Sequence, residues 1–505
     1  MADTSAQVTP FETNGETHLI ERLAAIVGAG HVVTRETDLA AQTANVLHGV
    51  DELPLCLVFP ADVSEVSAVV RACADAGMPM VPLGGNTGLS GGTRAWPTER
   101  CVMIGLRRMN RILDVSSEGG TMTVQAGCIL ADVQAEALRH DRLFPLSLGA
   151  EGSCQIGGNI ATNAGGVNAL RYGVMRDLVF GLEVVLPDGS VLDLNRSLRK
   201  DNAGYDLKHI FIGSGGTLGI ITAAVLRLFP RQRAQVTAMT VLRDAEAAIE
   251  MLGRLSSRFG ESLTSLELID ALTVQLVKRH FPSIAVPYAT EADWHLLIEL
   301  CGKDETELAA GLEELLGGAL EDGVIADASI ATSIAQSKNI WALRHATAEV
   351  AKQLGPRFAN DASVPVAAQP AFLTELRRRV AVWPDALLSV YGHVGDGNLH
   401  VLVGFPNRSA DDPAIPELRR AVEEAVTATI VSFKGSVTAE HGIGFNYLQK
   451  LIDSRDAAEI AVMQQLRRSI DPRSLMNPGK SFRHRLRGCP VATTAIRAGA
   501  SGSGP

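Results

Sequence analysis

Two histidines and one glutamate are the residues of this sequence best suited to bind a metal ion. His393 and His400 lie in the stretch 387–404, where apolar runs on either side of the turn VGDGN predict a β-hairpin. Both imidazoles then lie on neighbouring strands and can face one point. Glu440 follows in the glycine-flanked loop TAEHGIG. Isolated histidines on strands are more often structural, but the glycine-rich loops favour a functional site, and this ligand set suits Zn²⁺ or another divalent ion with an open position for substrate.

Three glycine-rich segments are the second chemical feature. The first, GGNTGLSGG at 84–92, has five glycines in nine residues directly after a predicted strand. Backbone N–H groups in such a run can converge on an anion, and a pyrophosphate fits that arrangement. A flexible turn is the alternative, but a turn needs only one or two glycines. The second segment, 156–173, adds Asn159, Thr162 and Asn163, which can hydrogen-bond a heterocycle or a phosphate, and the third, 212–222, opens a strand.

A nicotinamide-binding Rossmann site does not fit these segments. It requires GxGxxG between a strand and a helix, followed by an acidic residue about 20 positions later. In GSGGTLG the last glycine falls one place late, and a strand follows instead of a helix. Three glycine loops spread over residues 84–222 favour a ligand longer than a mononucleotide, clamped between two subdomains. FAD has that length.

Seven motifs then make the sequence recognisable, in the order PLGGNTGLSGG, GGNIATNAGGVNALRYG, LEVVLPDGS, GSGGTLGIIT, YGHVGDGNLHV, TAEHGIG and NPGK. From about residue 45 to 482 the chain resembles the FAD-dependent D-2-hydroxyacid dehydrogenases, which include D-lactate and D-2-hydroxyglutarate dehydrogenases and glycolate-oxidase subunits of the vanillyl-alcohol-oxidase flavoprotein superfamily. The resemblance implies an α+β fold. A two-subdomain FAD-binding domain of the vanillyl-alcohol-oxidase type is expected, with an α+β cap domain that contains an antiparallel sheet.

The resemblance also implies which residues contact FAD, with the first loop on the pyrophosphate and the second segment along the flavin. The expected residues are Pro82, Gly84, Gly85, Asn86, Thr87, Gly88, Leu89, Ser90, Gly91, Pro145, Ser153, Gly157, Gly158, Asn159, Thr162, Asn163, Gly165, Gly219, Ile220 and Asn477. The first loop contains no His or Cys, and Cys128 and Cys154 match no attachment motif. We therefore expect non-covalent FAD.

By the same resemblance, the metal ligands are His393, His400 and Glu440, and His441 is the catalytic base. The ion is expected to be Zn²⁺, with Mn²⁺ as an alternative. Arg344, in NIWALRHATAEV, matches the family's carboxylate-binding arginine, although alone it reads as an exposed helix charge. Asn398, in GDGN, is expected to hydrogen-bond the substrate.

These residue types suit the oxidation of a 2-hydroxy acid, which removes the hydroxyl proton and transfers the α-hydrogen as hydride to flavin N5. A metal that binds the hydroxyl lowers its pKa, and a neutral imidazole can take the proton. A forked guanidinium is the best partner for the substrate carboxylate.

The sequence departs from the family at two places that bear on the substrate. D-2-hydroxyglutarate dehydrogenases carry a lysine where Ala359 stands here, and a hydroxyl where Ala348 stands, four residues after Arg344. Both groups would help hold a distal carboxylate. DASVPV at 361–366 still resembles the hydroxyglutarate branch, so the substrate stays open between a dicarboxylate and a smaller monocarboxylate such as D-lactate.

Other functions explain less of the sequence. An alkyl-glycerone-phosphate synthase-like transferase, which uses flavin without net redox change, would carry consecutive histidines, and this chain has no His-His pair. A metal hydrolase would leave the glycine loops unexplained. A non-catalytic flavin-binding protein would not need Arg344 and His441 in their motifs.

Composition sets the remaining limits. The chain of 505 residues is 46% hydrophobic and 20% charged, which favours two or three globular domains. Its net charge of −10 argues against nucleic-acid binding.

No apolar run is long enough for a membrane span, and the N-terminus lacks the pattern of a signal peptide. The seven scattered cysteines indicate reduced thiols in the cytoplasm. An external electron acceptor (an electron-transfer flavoprotein, a quinone or a cytochrome) is needed, because no iron–sulfur motif is present. Oligomeric state stays open, with a homodimer among the options.

Hydrophobic patterning places the elements around these motifs. A strand at 53–60, a helix at 62–77 and a strand at 78–83 predict a βαβ unit with a parallel pair. After Pro230, helices near 243–259, 304–317, 338–354 and 370–380 alternate with strands, which predicts an antiparallel sheet with helices on one face. The expected divisions are an N-terminal helical segment (1–45, with a helix at 16–28), the FAD-binding domain (46–232), the cap (233–425), a C-terminal helical segment (426–482) and a disordered tail (483–505).

Overall fold

A computed structural model describes residues 10–45, 52–95 and 100–481. The expected tail, 483–505, lies outside the described residues. The elements of the N-terminal half are α1 (Pro10–Val27), β1 (Val32–Val33), α2 (Glu36–Thr43), β2 (Cys56–Val58), α3 (Val63–Ala76), β3 (Met80–Leu83), β4 (Val102–Gly105), β5 (Ile112–Ser116), β6 (Thr121–Gln125), α4 (Leu130–Arg139), β7 (Arg142–Leu143), α5 (Ile156–Ala161), α6 (Ala169–Tyr172), α7 (Met175–Leu178), β8 (Val179–Val185), β9 (Val191–Leu194), α8 (Lys208–Phe211), β10 (Ile220–Arg227) and β11 (Phe229–Pro230).

The βαβ unit before the first glycine loop forms as its capping residues predict. Asp62 accepts a hydrogen bond from the backbone N–H of Glu65 at the start of α3, and Gly77 ends the helix in the left-handed region. A cap of this kind stabilises a helix by about 1 kcal/mol. The predicted direct pairing of β2 with β3 is wrong, because β4 lies between them and is parallel to both. The four-stranded sheet has the order β1-β2-β4-β3, so the glycine loop leaves from an edge strand.

A second, antiparallel sheet completes the N-terminal half, with the order β5-β6-β10-β8-β9. Both sheets share one hydrophobic core with α1, whose Leu19 and Leu23 are buried in it. The helix predicted at 16–28 begins earlier, at Pro10. The second glycine segment, expected as a loop, contains α5 and α6. Its Gly157 packs against Ala126, where an added Cβ would lie 2.8 Å from the Ala126 side chain, so a helix with small residues can lie on the sheet.

The C-terminal half is built around a seven-stranded antiparallel sheet. Its elements are β12 (Ala234–Leu242), α9 (Glu246–Phe259), β13 (Leu263–Asp270), α10 (Ala271–His280), β14 (Trp294–Gly302), α11 (Glu305–Glu321), β15 (Ile325–Ile330), α12 (Ile334–Val350), β16 (Arg357–Ser363), α13 (Gln369–Val380), β17 (Leu387–His393), β18 (Asn398–Gly404), α14 (Ile415–Ser432), α15 (Leu448–Ser454) and α16 (Ala457–Ile470). The strand order is β15-β12-β14-β13-β17-β18-β16.

Helices cover both faces of this sheet, so the prediction of helices on one face is wrong. One face packs on α9, α11, α13 and α14, and the other packs on α10 and α12. Strands buried on both sides, such as β12 and β13, carry nearly continuous apolar runs. The face under α10 and α12 carries the polar residues described next.

The last described residues fasten the chain end to the N-terminal half. Asn477 donates its backbone N–H to the Met80 carbonyl over 2.7 Å, and Met80 donates to the Leu475 carbonyl over 2.8 Å. The buried Lys480 ammonium donates to the carbonyls of Arg94 and Pro478. Across the described parts of the chain, no helix combines the length and apolar character needed to cross a membrane.

Candidate active site

The β17–β18 hairpin forms as predicted and presents both histidines on one sheet face. In its register His393 pairs with Asn398, and Tyr391 pairs with His400. Because alternate residues of a strand share a face, all four side chains lie on the side of α12. The His393 and His400 rings are 5.7 Å apart at their centroids.

Glu440 completes a three-residue cluster with these histidines. Its Oε1 lies 3.7 Å from His393 Nε2, and one ligand atom from each of His393, His400 and Glu440 lies within 4.8 Å of the others. Burial lowers the pKa of His400 to about 3, despite the opposing effect of Asp361, so this imidazole is neutral as a metal ligand must be. Two imidazoles and a carboxylate in this arrangement fit a divalent ion such as Zn²⁺.

A second cluster, Asp361 with His400 and His441, shares His400 with the first. Asp361 is 5% exposed, and its Oδ2 already accepts the backbone N–H groups of Ala439, Glu440 and His441 over 2.7–3.0 Å. Its Oδ1 accepts Asn398 Nδ2 over 2.8 Å. These bonds occupy the carboxylate and hold the 439–441 loop in place. The His393–His400–Glu440 cluster is therefore the better metal site, with Asp361 as the residue that positions Glu440.

Glu267, on β13, joins His393 to Arg344. Its side chain is completely buried; Oε1 lies 2.5 Å from His393 Nδ1, and Oε2 accepts Arg344 Nε over 2.6 Å. Burial would raise the pKa of Glu267, but His393 and Arg344 outweigh burial and lower the pKa to about 2. An ionised carboxylate only accepts hydrogen bonds, so His393 donates its Nδ1–H to Glu267 and directs Nε2 toward Glu440. Burial would lower the pKa of His393, but the Glu267 carboxylate outweighs burial and raises it to about 9, so an ion that binds Nε2 must displace a proton.

Arg344 is 8% exposed, which rules out its interpretation as an exposed helix charge. Beyond its bond to Glu267, Nη1 donates to Thr347 Oγ1 over 3.3 Å, and the guanidinium lies 5.0 Å from the Tyr391 ring. Within the described chain, no hydrogen bond joins the Arg344 Nη2 to another residue. The terminal nitrogens thus retain donors for a substrate carboxylate.

His441 and Asn398 line the same site in different ways. The His441 ring stacks on His400 with centroids 6.1 Å apart, and its Nδ1 lies 3.7 Å from Asp361 Oδ2. Asn398 is 4% exposed and uses its amide donors on Asp361 and the Ala362 carbonyl. Its Oδ1 is buried without a partner among the described residues, so Asn398 can accept a hydrogen bond from a ligand but has no donor left to give.

The three glycine segments meet as a clamped ligand requires. An added Cβ at Gly84 would lie 3.6 Å from Gly158, and one at Gly216 would lie 3.1 Å from Pro82. Asn477 donates its side-chain amide to the carbonyls of Gly92 and Gly215, which ties the first loop to the third. The segments expected to surround FAD are therefore brought together.

Open space beside several of these glycines tests the fit of FAD. An added Cβ would meet no atom within 4 Å at Gly88, Gly92, Gly158 and Gly215. At Gly85, by contrast, it would lie 2.1 Å from the Ser153 carbonyl oxygen. Gly85 is thus required by loop packing, whereas the open glycines leave room along the loops that a dinucleotide would fill.

Several expected FAD contacts serve the loops themselves. Asn86 donates its amide to the carbonyls of Thr43 and Ala44, and Asn163 accepts the backbone N–H of Arg176. Thr162 Oγ1 donates to the Gly158 carbonyl over 3.0 Å. The structure places the other expected residues in β3 and the first loop, in 145–165, and at the start of β10, where Gly219 and Ile220 lie.

The His393–His400–Glu440 cluster lies directly against these loops. An added Cβ at Gly165, in the second segment, would lie 3.4 Å from Glu440 Oε1. Phe445 and Asn446, just after the Glu440 loop, donate their backbone N–H groups to the Ser90 carbonyl of the first loop. The sheet of the C-terminal half adds a third contact, since Ser265 Oγ donates to the Val167 carbonyl over 2.7 Å.

Fold and site together define a flavin-linked oxidoreductase. Residues 54–195 match the family described as FAD binding domain, and residues 231–481 match FAD linked oxidases, C-terminal domain. The chain is 37% identical to the mitochondrial D-2-hydroxyglutarate dehydrogenase of Rattus norvegicus, over 94% of this chain and 86% of the relative. It is 36% identical to the D-2-hydroxyglutarate dehydrogenase of Xanthomonas citri pv. viticola, over 85% and 89% of the two chains.

The fold resembles solved structures at much lower identity. p-Cresol methylhydroxylase superposes with a TM-score of 0.73 at 16% identity, over 94% of this chain and 98% of that one. The chain belongs to the D-2-hydroxyglutarate dehydrogenase family of FAD-linked oxidases, which confirms the resemblance seen in the seven motifs.

Sequence reasoning missed Glu267 and Asp361 as parts of the site. Glu267 interrupts the apolar strand LTSLELID, and a lone carboxylate in a buried strand indicates a buried cationic partner. Asp361 was noted only as part of DASVPV, within a segment whose strand β16 was not predicted. Neither partner could be identified from the sequence, because the contacts join residues 77 to 126 positions apart.

Proposed function

We propose that this protein oxidises a D-2-hydroxy acid to the 2-oxo acid with non-covalently bound FAD and a divalent ion at His393, His400 and Glu440. The observation that carries the proposal is the position of this cluster against Gly165 of the second glycine segment, with Arg344 on the same sheet face. Binding groups for a carboxylate and a hydroxyl thus lie beside the segment expected to line the flavin.

Different residues of the chain bind the carboxylate, accept the hydroxyl proton and hold the ion. The terminal nitrogens of Arg344 bind the C1 carboxylate. The hydroxyl O–H, which is the substrate's one donor, bonds to the Asn398 Oδ1 in the bound substrate and passes its proton to the His441 imidazole during the reaction. The donor set at His393, His400 and Glu440 binds Zn²⁺, or Mn²⁺ as the alternative, which when bound supplies Lewis-acid polarisation of the hydroxyl.

FAD when bound supplies the acceptor for the C2 hydrogen and its electron pair, and an external partner then reoxidises it. Neither histidine nor cysteine occurs in the first loop. Acid precipitation of the holoprotein should therefore release all the flavin into the supernatant.

Two observations bear on the distal part of the substrate. Ala348 and Ala359 are exposed and supply neither a hydroxyl nor an ammonium, which favours a small monocarboxylate such as D-lactate. Arg357 favours D-2-hydroxyglutarate, because it is exposed and lies two residues before Ala359 on the same face of β16. Its side chain also acts electrostatically on Tyr391, within the site.

Steady-state kinetics with an artificial electron acceptor distinguish these substrates. The ratio of kcat/KM for D-2-hydroxyglutarate to that for D-lactate should exceed one if Arg357 binds the distal carboxylate, and Arg357→Ala should then lower only the former. Ala359→Lys should raise the ratio in either case. No turnover of any D-2-hydroxy acid by the FAD- and metal-loaded protein would refute the proposed function.

A further inference from the structure

Glu267 makes contacts that the reaction outlined above does not use directly. Its two oxygens bind two different functional side chains, Arg344 through Nε and His393 through Nδ1, at 2.6 and 2.5 Å. The carboxylate is 0% exposed. Its strand, β13, pairs with β17 so that Glu267 lies opposite His393. Glu267 is thus held by the sheet and cannot move without disturbing both partners.

The geometry of a 2-hydroxy acid explains why this connection matters. Its carboxylate and hydroxyl are borne by adjacent carbon atoms, so the groups that bind them must keep one fixed separation. Arg344 lies on α12 and His393 lies on β17. Because these are separate elements, a contact shared by both side chains is needed to keep the distance between them constant. The Glu267 carboxylate, which bonds to both side chains, provides this contact.

We propose that Glu267 is a positioning residue that sets the separation between the carboxylate-binding Arg344 and the metal-binding His393. The proposal rests on the function proposed above and adds a residue that touches neither substrate nor metal. One oxygen accepts the Nδ1–H of His393 and so directs Nε2 toward the ion. The other oxygen occupies the Nε edge of Arg344, which leaves the terminal nitrogens for the substrate.

Neutralisation of two buried cations is the competing explanation, in which any carboxylate at this place would do. The two explanations differ for a shorter acid. Glu267→Asp keeps the negative charge but lacks one methylene group, so it cannot reach both partners. Glu267→Gln keeps the length but has only one accepting oxygen, so it can accept from the Arg344 Nε–H or from the His393 Nδ1–H but not from both.

Glu299 provides a matched control. It is a buried carboxylate on the adjacent strand β14, 7% exposed, and bonds to Trp341 and Gln235 without touching Arg344 or His393. Glu299→Gln therefore changes a buried carboxylate in the same sheet while leaving both groups of interest in place.

The test measures binding of two probes to the FAD-loaded protein. Zn²⁺ affinity is measured by competition with a chromophoric chelator, and oxalate affinity by its perturbation of the flavin spectrum with Zn²⁺ bound. Glu267→Gln should weaken Zn²⁺ binding about 10- to 100-fold, as loss of a residue that orients a metal ligand does. Oxalate binding should weaken at least about tenfold. Adding Arg344→Ala to the Glu267→Gln variant should then reduce oxalate affinity much less than Arg344→Ala does in the wild type.

The results expected of the other variants separate positioning from charge. Glu267→Asp should also weaken at least one of the two affinities, while Glu299→Gln should leave both near wild type. Full affinity for both probes in Glu267→Asp would overturn the proposal, since charge alone would then suffice. Equal losses in Glu267→Gln and Glu299→Gln would overturn it too. If Glu267→Gln fails to fold, the Asp variant decides. A wild-type holoprotein that binds no Zn²⁺ would refute the proposed metal site itself, a result distinct from any of these.

Discussion

Arg344 and His441 act on different atoms of the proposed substrate, so their loss should affect different kinetic constants. In the proposed reaction Arg344 binds a carboxylate that stays unchanged, whereas His441 takes a proton only as the reaction proceeds. Both residues are held by buried carboxylates: the Arg344 side chain donates to Glu267, and the His441 backbone N–H donates to Asp361.

Arg344→Ala should mainly raise KM for the 2-hydroxy acid, by roughly 10- to 100-fold, because two charge-assisted hydrogen bonds to the carboxylate are lost. Some loss of kcat should follow from poorer orientation. Arg344→Lys should recover only part of the affinity, because an ammonium cannot reproduce the forked contact. Steady-state kinetics measure both effects, and wild-type KM in the Ala variant would contradict the assignment.

His441→Asn should chiefly lower kcat, by about 10²- to 10⁴-fold, as expected for a lost general base. Asn cannot accept the hydroxyl proton, but its backbone N–H can keep the bond to Asp361 that holds the loop. Oxalate affinity should stay within a few-fold of wild type. Rapid-reaction measurement of flavin reduction isolates the step, and an unchanged rate would show that another group takes the proton.

The sequence indicated the candidate metal- and substrate-binding side chains, but it did not indicate Glu267 and Asp361, the buried carboxylates that position them. Histidines, Arg344 and Glu440 stand in motifs with distinctive neighbours, so their types and order were informative. Glu267 and Asp361 act through partners on other elements, and contacts between residues 77 to 126 positions apart leave no local signal. Burial of Arg344 likewise depends on Glu267 and could not be read from its helix.

Among the elements, the glycine loops contain two kinds of glycine: some are required by close packing, and others face open space. Gly85 lies against the Ser153 carbonyl, while the space beside Gly88 holds no protein atom within 4 Å. Glycine content alone predicted an anion-binding loop without distinguishing these roles. The spacing of the three glycine loops predicted one long ligand clamped between two subdomains. The contacts of Asn86 and Asn477 with backbone carbonyls had no sequence signal.

Gly88→Val should fold normally and purify with little or no FAD, because its side chain occupies space proposed for the cofactor. The ratio of flavin absorbance to protein absorbance gives occupancy, and circular dichroism reports the fold. Gly253→Val is the matched control, since Gly253 is an exposed glycine of α9 with no atom near its added Cβ. Full FAD occupancy in Gly88→Val would mean that this part of the loop does not bind the cofactor.

The packing of β14 near α10 should make stability depend on pH. His295 is 4% exposed, and its Nδ1 lies 2.7 Å from the Tyr288 hydroxyl. Burial lowers the pKa of His295 from 6.5 to about 4. The unfolded chain therefore binds a proton at higher pH than the folded chain does, and the contribution of His295 to stability is lost as pH falls from 6.5 toward 4.

Urea denaturation of wild type and His295→Gln at pH 7 and pH 4.5 tests this effect. The difference in unfolding free energy between the two proteins should shift against wild type by about 2–3 kcal/mol at the lower pH, because Gln does not titrate. A difference that stays the same at both pH values would show that His295 is not buried as a neutral imidazole.

The antiparallel sheet of the C-terminal half shows where element-level prediction fails. Strands β12, β15 and β16 were not predicted, although four others were. β16 contains the polar residues Asn360 and Asp361 in its buried part, so its pattern departs from that of an ordinary strand. The sequence did not predict helices on both faces of the sheet. Short, continuous apolar runs occur in strands buried on both sides, but they also fit a sheet covered by helices on one face only.

At the scale of the whole molecule, the site exists only where the two halves meet. The sheet of the C-terminal half supplies the histidines, while Gly165 and Ser90 of the N-terminal half contact the Glu440 loop. The chain end returns to hold the first and third glycine loops through Asn477. A substrate at Arg344 and the metal site would thus lie beside the proposed flavin site.

Anaerobic mixing of the FAD- and Zn²⁺-loaded protein with D-2-hydroxy acids tests this arrangement most directly. Flavin absorbance near 450 nm should bleach with D-2-hydroxyglutarate or D-lactate, while the L-enantiomers leave it largely unchanged. The D-acid should bleach Arg344→Ala only at much higher concentration. Flavin that stays oxidised with every D-2-hydroxy acid, in protein shown to contain both FAD and metal, would contradict the account.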